Sequence, residues 1–163
     1  MIGVSRCLIG ENCTYKGSHN LVKGFQKLYQ QGKVIPVCPE VLGGLPIPRF
    51  PSEIVSQNPL VIKNNHGEDV TKEYLDGANK AIQIFLDNHV EVAVLKYRSP
   101  SCGNDGVYDG TFSHRLIDEQ GVFAKMCKQA GIQVFNENEI DKFLKYIGKE
   151  EEYGTYFKDS TSI

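Results

Sequence analysis

The sequence predicts an α/β fold: a single three-layer domain with a mainly parallel sheet and helices on both faces, Rossmann-like, plus a short hairpin. Two observations carry that expectation. Short apolar runs alternate along the chain with segments of helical periodicity, and strands alternating with helices imply right-handed crossovers and parallel neighbours. The length, 163 residues, suits one domain that buries roughly 70% of the surface its unfolded chain would expose.

Taken in order, "IGVS" is the first short apolar run. Leu21, Val22, Phe25, Leu28 and Tyr29 then recur at helical spacing, closed by Gly32. "KVIPVC" is a second run, and Pro36 inside it argues against a central strand. "PEVLGGLPIPRFPSEI" holds four prolines and two glycines and reads as an irregular, stiff loop. "LVIKNNHGEDVT" gives two short extended pieces about a turn, with Thr71 placed to cap the next helix. That helix carries Tyr74, Leu75, Ala78, Ala81, Ile82, Phe85 and Leu86 on one face. "VEVAVLK" is the best strand, and the loop "YRSPSCGNDGVYDG" follows it. In "VYDGTF", Tyr108, Asp109 and Phe112 suggest a turn between short strands with Asp109-Gly110 at its tip. A helix from about Val122 to Ala130, a strand "IQVF" and a helix with Ile140, Phe143, Leu144 and Ile147 complete a domain of residues 1–150. Residues 151–163 lack periodicity and read as a tail.

The chain is 40% hydrophobic and 23% charged, which excludes extensive disorder. With 18 basic against 20 acidic residues and a net charge of −2 it lacks the footprint of a nucleic-acid binder. No apolar run approaches a membrane span, and "MIGVSRCLIG" lacks the features of a secretory signal, so the expected location is the cytoplasm. No GxGxxG or Walker loop follows any run, which removes the main support for nucleotide binding.

Five cysteines in such a chain suggest free thiols or metal ligands. Cys7, Cys38 and Cys102 all fall at carboxyl ends of expected parallel strands, the edge at which open α/β sheets bind ligands. Cys127 shares a helical stripe with Val122, Phe123, Met126 and Ala130 and reads as core packing. Cys13, in the loop "GENCTYKG", is either an ordinary loop position or a fourth ligand or resolving thiol. Soft sulfur donors select zinc, copper(I) or iron–sulfur clusters. Catalytic zinc usually includes histidine among its ligands, and of the four histidines only His114 is a candidate for a place at such a cysteine loop, whereas all-thiolate ligation favours iron–sulfur.

The combination "VSRCLIG", "PVCPEVLGGLPIPR", "GEDVT", "SPSCG" and "YDGTFS" resembles the small bacterial family, formerly of unknown function, that includes the TudS-type 2-thiouracil desulfidases. The likeness spans about residues 2–134. It implies a 4Fe-4S cluster held by three cysteines, which map onto Cys7, Cys38 and Cys102, with one open iron that takes the thiocarbonyl sulfur of a small thiolated base. The chain departs from the family's usual "RYDG" at Thr14, Tyr15, Lys16 and Gly17.

Non-redox removal of sulfur from a thiolated pyrimidine needs a Lewis acid, a water and a base. Glu40, two residues past Cys38, is the candidate base; the alternative is a surface carboxylate in a loop. Ser99 or Ser101 would hold the water or a substrate oxygen, or both only shape the turn about Pro100. Gly43, Gly44 and Gly103 would let backbone approach the cluster or substrate. Arg49 would anchor a substrate oxygen, or pair with Glu53 and staple the proline-rich loop. The resemblance places the segment with Tyr108, Asp109 and Phe112 at the pocket border. Two other functions compete with the desulfidase. One is a cluster- or zinc-binding protein without turnover, which would need no base beside Cys38. The other is a thiol oxidoreductase using Cys7 and Cys13, whose spacing is not CxxC.

Overall fold

The computed structural model describes residues 1–158. The elements in chain order are β1 (Ile2–Ser5), a 3₁₀ turn (Arg6–Ile9), α1 (Lys23–Gln30), β2 (Val34–Val37), α2 (Pro39–Leu42), β3 (Ser52–Gln57) and β4 (Leu60–Asn64). There follow α3 (Thr71–Asp87), β5 (Val92–Leu95), β6 (Val107–Tyr108), β7 (Leu116–Ile117), α4 (Val122–Gln129), β8 (Gln133–Asn136), α5 (Ile140–Ile147) and α6 (Glu150–Lys158).

Strands β2, β1, β5 and β8 form one parallel sheet in that order. Successive side chains of a strand point to opposite faces, and the two cores divide accordingly. Ile2, Val4, Val92, Val94 and Phe135 pack with Phe25, Leu28, Phe143 and Leu144 on the face of α1 and α5. Ala93, Leu95 and Val134 pack with Tyr74, Phe85, Phe123 and Cys127 on the face of α3 and α4. The three layers expected from the alternating pattern are present, and Pro36 lies on an edge strand, where its missing N–H is tolerated.

Several local expectations are corrected. The stretch after Cys38 is not irregular from its start: Pro39–Leu42 form one helical turn, with Pro39 at the position where a missing N–H costs nothing. The "SEIVSQ" segment pairs antiparallel with "LVIKN", with a bulge between Ile54 and Ser56. Thr71 is the first residue of α3 and not its cap; its hydroxyl accepts from Ile62 N at 2.9 Å and ties the helix to β4. The β6–β7 loop runs over 109–115, so Asp109 opens the loop and does not form its tip.

The expected tail begins as α6. Tyr153 and Phe157 are buried, and the Phe157 ring meets Phe25 edge-on at 4.9 Å, a burial that stabilises the fold by roughly 1.5–3 kcal/mol per large apolar side chain. Residues 159–163 of that tail lie outside the described residues.

Candidate active site

The chain leaves β1 for β2 on one side and later adds β5 and β8 on the other, so the strand order reverses between β1 and β5. A crevice opens there at the carboxyl ends of the strands. Cys7 lies in the 3₁₀ turn after β1, Cys38 directly follows β2, and Cys102 lies in the loop after β5. All three are buried and line one cavity of ≈ 510 Å³. Cys13 lines it too, its carbonyl oxygen 3.7 Å from Cys38 Sγ. Cys127 does not; it is fully buried in the α3/α4 core. All five cysteines are free.

Glu40 is 8% exposed, so the reading of it as a surface carboxylate is corrected. The short α2 helix turns it back onto the cavity beside Cys38. Ser99 Oγ donates to Glu40 Oε1 at 3.1 Å, and Ser101 Oγ donates to the same oxygen. Arg49 Nη2 stands 3.6 Å from Glu40 Oε2, and the Cys38 thiol points to that oxygen at 3.4 Å. A buried carboxylate persists only with such partners. Ser99 lines the cavity, whereas Ser101 has no exposed surface and stands behind the carboxylate. Ser99 Oγ also accepts from Cys102 N at 3.2 Å, which fixes the loop that carries the third thiol.

Arg49 does not pair with Glu53, a further correction. Its guanidinium donates to the carbonyl oxygens of Cys13 (3.0 Å) and Pro46 (3.3 Å) besides facing Glu40. Glu53 instead accepts backbone N–H groups of the β6–β7 loop. Tyr108 lines the cavity. Gly43, Gly44 and Gly103 do not. A methyl on Gly43 would overlap the Glu73 carbonyl oxygen, so this glycine lets α2 touch α3; one on Gly103 would lie 2.7 Å from Ser99 O, inside its own loop. Gly44 has φ +93° and open space about it, so it serves the turn.

Phe112 of the Tyr108 segment lines the cavity with His114, and the structure also brings in Tyr74, Lys96 and Arg98, which the motifs did not single out. Lys96 Nζ is 2.8 Å from Glu137 Oε2, and Glu137 Oε1 accepts Tyr97 N at 2.6 Å. That pair anchors the start of the cysteine loop. The position of Lys96 at a strand's carboxyl end was the one sequence signal for it. A second cavity of ≈ 530 Å³ adjoins the first and shares Arg49, Phe50 and Ser52 with it, but no cysteine lines it.

Burial pushes the Cys7 thiol up to about 11, opposed by a hydrogen bond from Asn20 and by the charge of Lys96. Cys38 is raised by its hydrogen bond with Cys13, then by burial and the Glu40 charge. Cys102 is raised by complete burial and Glu40, against hydrogen bonds from Ser101 and Ser5. Metal-free, these are neutral thiols, and a soft metal centre would displace their protons. Among the described residues no group of three His, Cys, Asp or Glu converges on a point that one ion could fill. Thiols lining one cavity are soft donors, and an all-cysteine donor set suits iron–sulfur chemistry.

A sequence profile of the 2-thiouracil desulfurase family matches residues 2–139. An uncharacterized protein, YbbK of Bacillus subtilis strain 168, is 40% identical over 151 residues, covering 88% of this chain and all of that protein. The solved structure of the [4Fe-4S]-dependent thiouracil desulfidase TudS superposes with a TM-score of 0.84 at 33% identity, over 90% of this chain and 97% of that one. This chain belongs to the 2-thiouracil desulfurase family.

Proposed function

We propose that this chain removes sulfur from a small thiolated pyrimidine such as thiouracil, hydrolytically and without redox, using a 4Fe-4S cluster held by Cys7, Cys38 and Cys102. The observation that carries this reading is the shared cavity. Three buried thiols line it together with a buried carboxylate that two hydroxyls and a guanidinium hold in place. The family and the likeness to a [4Fe-4S]-dependent thiouracil desulfidase support the cofactor and the substrate class.

The cluster, when bound, would supply Lewis acidity toward the C=S bond and affinity for the departing sulfur. The rest falls to this chain's residues. Glu40 takes a proton from water as the water oxygen bonds to the thiocarbonyl carbon. The C–S bond breaks, sulfur leaves as sulfide, and the ring keeps a carbonyl in place of the thiocarbonyl. Water and C=S thus become H₂S and C=O with no electron gained or lost. Ser99 and Ser101 act on Oε1 and Arg49 on Oε2, so the carboxylate is oriented before substrate arrives. A storage or binding protein has no use for that arrangement.

The test is Glu40→Gln, nearly isosteric and unable to accept the proton. At matched iron and sulfide content, measured anaerobically, sulfide release from 2-thiouracil and 4-thiouracil should fall by roughly 10²–10⁴-fold. A variant as fast as the parent removes Glu40 from the mechanism, and a parent inactive on both substrates removes the desulfidase assignment.

A further inference from the structure

We propose that Glu53 is a positioning residue that fixes the substrate-facing wall of the cavity by clamping the β6–β7 loop; the proposal rests on the desulfidase reading above. Glu53 is 6% exposed on β3, and among the described residues it forms no ion pair, an unusual situation for a buried carboxylate. Its Oε1 accepts two backbone donors from a segment more than fifty residues away, Gly110 N at 3.0 Å and Phe112 N at 3.2 Å. Charge-assisted bonds of this kind are about twice as strong as neutral ones.

The clamped segment is one that would not hold its shape alone. Phe112 has φ +59° and His114 φ +61°, conformations that bulky side chains adopt only when surroundings impose them. Both residues line the cavity that holds the cysteines. The His114 ring sits edge-on to Tyr108 at 5.5 Å, so two of the cavity-lining rings hold each other. Gly110, at φ +93°, lies against β3 closely enough that a Cβ would stand 2.9 Å from Val55 Cα. The loop is therefore pressed onto the strand that carries Glu53, and the carboxylate converts that contact into a defined orientation for Phe112 and His114. A wall of aromatic rings beside the thiols suits the flat face of a thiolated base.

The experiment compares the parent enzyme with Glu53→Ala and Glu53→Gln, each loaded anaerobically to the same iron content. It measures amide hydrogen exchange at residues 110 and 112 and steady-state kinetics with 2-thiouracil. In Glu53→Ala the two amides should exchange at least about tenfold faster. KM should rise by about tenfold with kcat within a factor of two, as expected when ground-state positioning alone is lost. Glu53→Gln keeps a carbonyl acceptor and should restore protection and KM to within about threefold of the parent. Unprotected amides in the parent would overturn the proposal even if the alanine variant failed to fold. So would an unchanged KM in the variants, or a collapse of kcat at constant KM, which would make Glu53 a proton carrier. A parent inactive on thiouracil would defeat the functional reading, and the exchange data would still decide the clamp.

Discussion

Replacing Gly77 by alanine should disable the site from a distance, because Gly77 is where α3 supports the helix that carries Glu40. Helix α2 lies directly on α3 through paired glycines. A Cβ on Gly77 would stand 2.8 Å from the Pro39 carbonyl carbon and 2.9 Å from Gly43 N, with the Pro39 oxygen nearer still. Ordinary contact begins at 3.4 Å, so the carbon alone is short by roughly 0.6 Å and the oxygen by well over twice that; α2 must withdraw by more than about 1 Å. Two terms compete in stability. Alanine in a helix interior gains up to about 1 kcal/mol over glycine, while overpacking costs about 1–3 kcal/mol. The clash involves backbone that cannot rotate away, so the second term wins, and a net loss of about 1–2 kcal/mol should lower Tm by several degrees. Function suffers more. Cys38 and Glu40 both move with α2, and a displacement of about 1 Å in a catalytic group costs on the order of 10²-fold in rate. Thermal melting and anaerobic sulfide release measure both effects. Gly154→Ala is the control, since nothing lies within 4 Å of its Cβ, and it should leave activity intact while stabilising α6 slightly. A Gly77→Ala enzyme with the parent's Tm and turnover would refute the reasoning.

The cysteines divide in two by the same logic. Cys7→Ala, Cys38→Ala and Cys102→Ala should each lose the visible absorbance of the cluster and its iron. Cys127→Ala should keep both, as should Cys13→Ser if the fourth iron is open; loss of iron in Cys13→Ser would make that thiol a ligand. Burial pushes the Cys127 thiol up to about 12, so the folded protein keeps it neutral where an unfolded chain ionises it. The stability so gained is complete below about pH 9 and is lost as pH rises toward 12, by up to about 1.4 kcal/mol per pH unit. Since the thiolate is the nucleophile, iodoacetamide at pH 9 should leave Cys127 unlabelled in the folded enzyme and label it in urea; labelling of both would show that the thiol is not enclosed.

The layered architecture was legible because Val92–Leu95 and Ile2–Ser5 are apolar in a pattern that only a sheet covered on both faces requires. The strand-end placement of Cys7, Cys38 and Cys102 followed from that architecture. Elements governed by tertiary contacts were less legible. Tyr153 and Phe157 are spaced one helical turn apart, but Gly154 and a run of glutamates mask the pattern, and α6 is held by Phe25 and Phe143 rather than by its own propensity. The partner of Arg49 could not be read from neighbourhood, since Glu53 is near it in sequence and Glu40 is near it in space. The glycines of "VLGGLP" looked like room for a ligand because a missing side chain has the same signature whether a substrate or a helix fills the space. The segment holding Phe112 was legible as a pocket border only through the family likeness, whereas the positive φ of Phe112 and His114 has no signature in residue type or spacing.

Pro36, at the outer margin of the sheet, has a bearing on how the molecule behaves among its own copies. A parallel strand four residues long and rich in Val and Ile would otherwise offer its free rim as a template for another chain's backbone. A residue with no amide hydrogen leaves that rim one donor short, midway along β2, so an incoming strand cannot complete a ladder there. The same residue that weakens the strand as a strand keeps a hydrophobic sheet from growing beyond its own chain.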